Sequence, residues 1–433
     1  MTIPNRLSQN SNIHSVFMTT HLVPPHPQPV RTRDVVLYAV TIYGLQLTVM
    51  LPALFSLAVK IALLNPDGKD VTLGLTAGLS SLFGLVTLPV AGAMSDHCRS
   101  RWGRRRPFLV VGIGLIAAGS TVIAVAGSLV FLGLGSAVTA VGGACVTAAV
   151  APFIVDLVPT QQRGRVGAVG GVATQLAGVS SPLLGALLVN NLLALFLTPV
   201  AVLAVCGLAY LIAVPDPQTR ATTQRSAARP PAMLASIAPL RQNRDLGWLL
   251  IAKVLVQTGL STFATYQLYF VLDRFGFTPQ QAAGRLALVG ALGVLVATSS
   301  AILAGIHSDR TGRRKPLVYL GAICVSAGLT LTALTSTVTG YGIGAVIVLL
   351  GVGVFGSVDL ALYSDLIPAG NDTSTLLSLF QLAGGLPAAL APLISPAVLS
   401  LGGDQRYTIL FLCAAGAAFG AALVTSLVAE ESR

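Results

Sequence analysis

Twelve apolar runs of about 20 residues, separated by short polar breaks, constrain this chain more than any other feature. They fall near 34–62, 71–94, 107–126, 130–155, 166–188 and 192–213, then near 246–272, 284–306, 316–337, 341–364, 373–399 and 407–429. At a rise of about 1.5 Å per residue, each is long enough to cross a hydrocarbon layer of about 30 Å as a helix. A soluble fold fails on what is left over. Charged residues make up 9% of the chain and hydrophobic ones 54%, whereas a soluble domain is about 25% charged. The pattern predicts an all-α membrane protein of twelve transmembrane helices, with a disordered cytoplasmic tail over 1–33, a cytoplasmic linker over 214–245 and a second tail over 430–433.

The net charge of +11 raises the question of nucleic acid, and the position of the basic residues answers it. With the N-terminus inside, 20 of the 26 Lys and Arg lie in the tails and the even-numbered loops, and Lys69, Arg274, Arg285 and Arg406 lie on the opposite side. Lys60 and Lys253 fall within helices. This is the positive-inside distribution, which predicts cytoplasmic termini in the plasma membrane and no nucleic-acid partner. His14, His21 and His26 are irregularly spaced in the Pro-rich tail, and Cys98, Cys145, Cys206, Cys324 and Cys413 are dispersed, so neither metal nor disulfide spacing is present. Translation could begin at Met1 or at Met18. No nucleotide-binding loop or redox-cofactor motif occurs, so no cofactor and no enzymatic activity are expected, and any work done by the chain must draw on a gradient.

The chain also repeats itself. Gly92-Ala93-Met94-Ser95-Asp96 closes the second run and leads to Gly103, Arg104, Arg105, Arg106 and Pro107; Gly305-Ile306-His307-Ser308-Asp309 closes the eighth and leads to Gly312, Arg313, Arg314, Lys315 and Pro316. Asp156-Leu157-Val158-Pro159 is answered by Asp365-Leu366-Ile367-Pro368. The two aspartate offsets are 213 and 209 residues, which predicts two six-helix halves, 34–213 and 246–429, in the same orientation.

On these motifs the chain resembles the major facilitator superfamily, whose loop between helices two and three has the form G-x-x-x-D-(x)n-G-R-R/K. The likeness covers about 34–429. It implies alternating access around a midplane site lined by helices one, four, seven and ten, and a monomer that exchanges a small molecule across the bilayer. The inserted spacer before Gly103, Arg104-Arg105-Arg106-Pro107-Phe108, Thr265-Tyr266-Gln267-Leu268-Tyr269 and Val358-Asp359-Leu360-Ala361-Leu362 resemble the glycoside and sucrose:cation symporter branch and its bacterial relatives. That likeness implies import of a sugar or glycoside with protons. The fourth run departs from the plant members, because it has no acid before Asp156.

Physically, the doubled loop suits a gating latch. Gly92, Asp96, Gly103, Arg104, Arg105, Asp156 and Arg163, with Gly305, Asp309, Gly312, Arg313, Arg314 and Asp365, place carboxylates and guanidinium groups together at the cytoplasmic helix ends. Surface pairs contribute only about 0–1 kcal/mol each, so such a latch opens at low cost. Marking topology is the plainer role for the same arginines.

Polar residues within the membrane are costly and face a cavity or the bundle interior. The seventh run carries Lys253, Gln257, Ser261, Thr265 and Tyr269 at four-residue intervals, with Thr258, Thr262 and Tyr266 beside them. Cavity lining explains so broad a stripe, although interhelical hydrogen bonds would use some of it. Lys253 and Asp359 each lie about 10 Å from the cytoplasmic boundary at 1.5 Å per residue, and each is the natural partner of the other. They are the candidate coupling pair, with a fixed structural pair or a snorkelling lysine as alternatives. Tyr43, Gln46, Gln175 and Gln381 are further cavity candidates suited to sugar hydroxyls. Gly74 with Gly78 and Gly167 with Gly171 are spaced for close helix approach, and Pro52, Pro89, Pro152 and Pro387 for helix breaks. Two other functions fit the apolar composition: export of a hydrophobic drug or secondary metabolite, and a transporter-like sensor that binds without translocating.

Overall fold

The computed structural model describes residues 30–98, 100, 103–214, 244–366 and 373–428. The expected tails, Arg99, Arg101 and nearly all of the expected linker lie outside the described residues. Among those residues, twelve helices are long and apolar enough to cross a membrane. They are α1 (Thr32–Leu64), α2 (Lys69–His97), α3 (Arg106–Val125), α4 (Leu129–Asp156), α5 (Thr160–Leu188) and α6 (Leu192–Ala213), then α7 (Arg244–Phe275), α8 (Pro279–Thr311), α9 (Lys315–Leu334), α10 (Val338–Asp365), α11 (Thr373–Leu401) and α12 (Arg406–Ser426).

The helices outrun their apolar segments where local signals allow. α8 starts five residues earlier than its apolar run because Thr278 and Gln281 form a capping box ahead of Pro279, and it stops where Gly312 turns left-handed at φ 66°. Prolines act unequally. Pro52 has no N–H to give, and α1 widens into a π turn over Pro52–Ser56. Pro152 divides α4 into Leu129–Val150 and Phe153–Asp156. Pro89 and Pro387, expected to break their helices, lie inside the continuous α2 and α11.

The twelve helices form two six-helix bundles with the same packing plan. α1 packs on α5 and α6, α2 on α4, and α3 on α4 and α6; α7 packs on α11 and α12, α8 on α10, and α9 on α10 and α12. Glycines set the closest of these contacts. A Cβ on Gly142 would lie 2.7 Å from the Gly112 carbonyl, and one on Gly135 would lie 2.8 Å from that of Gly119. In the second half, a Cβ on Gly351 would lie 2.7 Å from the Gly321 carbonyl, and one on Gly344 would lie 2.9 Å from that of Gly328. All four positions repeat at an offset of 209 residues, the offset between Asp156 and Asp365.

The bundles meet through α2 with α11 and α5 with α8. Gly74 and Gly78 carry the first of these contacts: a Cβ on Gly74 would collide with the Pro392 carbonyl, and one on Gly78 with the Leu393 side chain. Gly167 and Gly171 have nothing within 4 Å, so their spacing serves no helix contact here. The end of the molecule where α1 starts and α12 finishes is called the terminal end below, and the other the far end. One hydrophobic cluster spans both bundles toward the far end, joining Phe55, Ile61 and Leu73 to Phe263, Tyr266 and Phe411. At the terminal end each bundle keeps its own cluster, Tyr38, Leu109 and Phe153 in one and Leu246, Tyr363 and Phe380 in the other. The bundles are thus joined at the far end and separate toward the terminal end.

Gly142→Val is expected to lower the unfolding free energy by about 1–3 kcal/mol through overpacking against α3. Gly171→Val is expected to leave it within about 0.5 kcal/mol. Thermal melts of the two purified variants check this contrast.

Candidate functional site

α7 and α10 bring together the two charges that lie deepest in the second bundle. Lys253 Nζ donates to Asp359 Oδ2 at 2.6 Å, and the two side chains are only 14% and 9% exposed. Nine residues into α7, Lys253 stands about 13 Å along the helix, too deep for its ammonium to leave for water without giving up this partner. The other face of the ammonium rests on Phe380 of α11, 3.3 Å from the ring centroid. Tyr363 backs that ring at 4.8 Å, and its hydroxyl donates to the Leu376 carbonyl at 2.9 Å. Gly384 makes room for the lysine stem, since a Cβ there would lie 3.2 Å from Lys253 Cε. Sequence pattern points to the ion pair and misses its aromatic floor, because a phenylalanine in an apolar run carries no signal of its own.

The rest of the α7 stripe divides by depth. Thr258, Thr262 and Thr265 donate to carbonyls one turn back, at Val254, Thr258 and Ser261, which satisfies each hydroxyl within its own helix. Gln257 and Ser261 are half-buried on the same helix. Tyr266 and Tyr269 depart from the cavity-lining expectation. Both are fully buried between the bundles, where Tyr266 donates to the Asp70 carbonyl at 3.2 Å and Tyr269 to the Ala58 carbonyl at 2.8 Å. Their hydroxyls are committed to backbone groups of α2 and α1, which leaves them no lone duty toward a ligand in this conformation. Tyr43 donates to Ser180 at 3.0 Å, joining α1 to α5. Gln46 and Gln175 are half-buried, and Gln381 is exposed.

At the terminal end the doubled signature folds onto its own bundle. Arg104 and Arg105 reach Asp156 at 3.3 and 2.5 Å, and Arg314 reaches Asp365 at 2.7 Å. Arg105 and Arg314, like Asp156 and Asp365, are 209 residues apart, so one pair is the repeat of the other. Gly103 and Gly312 are both left-handed, with φ 109° and 66°, which accounts for glycine at each copy. Gly92 and Gly305 meet nothing within 4 Å. Arg163, expected among the latch charges, donates to the carbonyls of Val155 and Val158 at 2.8 and 3.1 Å and caps the end of α4. Asp309 and Arg313 are exposed, and the Asp96 side chain lies outside the described residues. The pairs seen here fasten loops to helix ends within a bundle; they do not cross between bundles.

Among the described residues, the charges seen to cross lie at the far end. Lys69 binds Asp273 at 2.7 Å; Arg406 binds Asp70 and Asp273, each at 3.0 Å; Tyr407 donates to Asp70 at 2.7 Å and to Asp273 at 3.2 Å. On the other side of the seam, Gln280 donates to Asn190 at 2.8 Å. In the sequence, Lys69 and Arg406 stand out only as part of the basic minority of their side. A further signal is present there: a chain with 15 acidic residues keeps four of them, Asp67, Asp70, Asp273 and Asp404, at the same boundary as those cations.

Comparison with known proteins agrees with this architecture. The profile of the Major Facilitator Superfamily matches residues 35–392. A membrane-associated transporter protein of Homo sapiens is 49% identical over 53 residues, 11% of this chain and 10% of its own length. Sucrose transport protein SUT4 of Oryza sativa subsp. indica is 32% identical over 116 residues, 25% of this chain and 18% of its own. The chain therefore spans a tenth to a fifth of these curated relatives. Among solved structures, the nucleoside transporter NupG superposes with a TM-score of 0.71 at 13% identity, covering 92% of this chain and 99% of that one. A bacterial homolog of the human lysosomal transporter Spinster, inward-facing and unoccupied, gives 0.67 at 15% identity, covering 91% and 96%. The doubled loop, the repeated bundles and the profile match lead to one conclusion: the chain, with its twelve helices long and apolar enough to cross a membrane among the described residues, belongs to the major facilitator superfamily.

Proposed function

We propose that the protein imports a small sugar or glycoside together with protons by alternating access, from a plasma membrane in which both termini are cytoplasmic. The observation that carries this reading is the buried Lys253–Asp359 pair on its Phe380 floor. Orientation rests on the positive-inside distribution, and the sugar on the likeness to sucrose transport proteins in the matched segments. With cytoplasmic termini, the conformation described above is closed to the outside.

The pair is suited to coupling because each of its states has a different electrostatic need. Ionised Asp359 holds the Lys253 ammonium; a proton on Asp359 cancels that attraction and leaves the ammonium to seek hydroxyl oxygens or water. A polyhydroxylated solute beside Gln257 and Ser261 supplies such oxygens. Loading of proton and solute then go together, and α11 senses both through Phe380. The halves 34–213 and 246–429 act as the rocking units across the 214–245 linker, each stiffened by its Arg–Asp pair at the terminal end. Asp309 and Arg313, exposed at the terminal end, are the candidates to bridge the halves when that end closes.

Asp359→Asn in proteoliposomes is expected to abolish uptake of labelled sucrose or glycoside driven by a pH gradient while sparing solute counterflow; full gradient-driven uptake in the variant overturns the coupling role. Lys253→Met alone is expected to cost about 3–5 kcal/mol of stability by stranding a buried carboxylate. Adding Asp359→Leu is expected to restore the melting point without restoring transport, which separates a coupling pair from a packing pair. In a thermal-shift panel, sugars and glycosides are expected to stabilise the protein; stabilisation by lipophilic compounds alone, with their energised efflux from vesicles, would establish the export reading instead.

A further inference from the structure

We infer that Lys69, Asp70, Asp273, Arg406 and Tyr407 form the extracellular gate of this transporter, an ion-pair lock that must part before the substrate path opens to the outside. The assignment of this end to the outside rests on the orientation proposed above; the lock between the bundles does not.

Three features of the network support a gate over ordinary packing. First, it joins the bundles through side chains alone: Lys69 and Asp70 belong to α2 in the first half, while Asp273 on α7 and Arg406 and Tyr407 on α12 belong to the second. Second, its charges divide evenly. Each half contributes one cation and one anion, and Arg406 stays 3.0 Å from Asp273 within the second half. When the halves separate, Lys69 leaves beside its neighbour Asp70 and Arg406 remains with Asp273, so neither half is left with a net charge to hydrate. Third, three of the four charges oppose their own helix ends. Lys69 and Arg406 are the first residues of α2 and α12, where a cation is disfavoured, and Asp273 sits in the last turn of α7, where an anion is disfavoured. Those positions fit partners across the seam better than they fit the isolated helices.

The lock faces an open pocket on one side and a sealed seam on the other. A polar pocket of about 520 Å³, lined by Asp273, Arg274, Gln405, Arg406 and Tyr407 among others, opens directly onto it. Water entering there can replace the ion pairs one by one, the condition under which surface pairs exchange cheaply. Behind the lock, the fully buried Tyr266 and Tyr269 and the tight Gly74 contact with Pro392 exclude solvent. Breaking the outer charges is therefore the step that admits water to the dry seam.

Hydrogen–deuterium exchange of the full-length protein in lipid nanodiscs tests the assignment through the peptides that cover α2, α7 and α12. Asp70→Asn and Tyr407→Phe are expected to speed exchange tenfold or more over 69–80 and 262–275 and to slow it at the terminal ends of α4 and α10, with Asp70→Glu close to wild type. Unchanged far-end exchange in both variants, or equal acceleration at both ends, overturns the gate. Labelling of Gly403→Cys by a membrane-impermeant maleimide tests sidedness separately: exclusive labelling from the inside overturns the extracellular assignment of the lock. Loss of the lock in a protein that fails to transport any sugar leaves the gate standing and counts against the proposed substrate instead.

Discussion

Inside a bilayer a charge has no water to turn to, so every ionisable group in the membrane must be answered by a protein atom. Two lysines meet that demand in different ways. Lys60 of α1 donates at 2.9 Å to the Ala124 carbonyl in the last turn of α3, where the helix dipole already favours a cation. Its partner is a backbone group of the same bundle, which cannot titrate and does not move relative to it. Lys253 is answered by a carboxylate on another helix and by an aromatic ring on a third. The first arrangement is a satisfied fixture. The second has alternatives, and the transport reading grows from that difference.

The same constraint sorts the seams of the molecule. Within each bundle, glycines let backbone meet backbone, as between α3 and α4 and again between α9 and α10, and these contacts leave no room for sliding. Between bundles, the contacts combine a small apolar seam at Gly74 and Gly78 with ion pairs on its outer rim. Rigid halves with a separable junction are what alternating access requires. The doubled Arg–Asp pairs belong to the rigid part in this conformation, since Arg105–Asp156 and Arg314–Asp365 each close within one half.

Most of the fold is legible in the sequence because it is written in length and repetition. Twelve apolar runs set the helices, and the Asp96 and Asp309 loops set the two halves. Lys253 with Asp359 is legible for an electrostatic reason, two isolated charges at matching depth. Other features are hidden by their chemistry. Phe380 looks like any apolar residue until a cation is placed on it, and the α3–α4 and α9–α10 glycines disappear among 45 glycines until partners are known. The far-end lock is hidden by its distribution over α2, α7 and α12, whose charges are separated by up to 337 residues and come together only through the fold. Tyr266 and Tyr269 read as cavity lining because period alone cannot tell a face that lines a cavity from one that meets another bundle.

Rocking of two rigid halves about a junction now closed at the far end is tested most directly by electron–electron spin distances. One spin pair at Asp67 and Leu401 spans the far end, and one at Gln161 and Thr311 spans the terminal end; all four residues are exposed. In nanodiscs, before and after addition of a stabilising solute, the expected result is two populations that change in opposite senses, the far-end distance lengthening as the terminal-end distance shortens. Distances that lengthen together, or a single unchanging population at both ends, would contradict rocking of rigid halves.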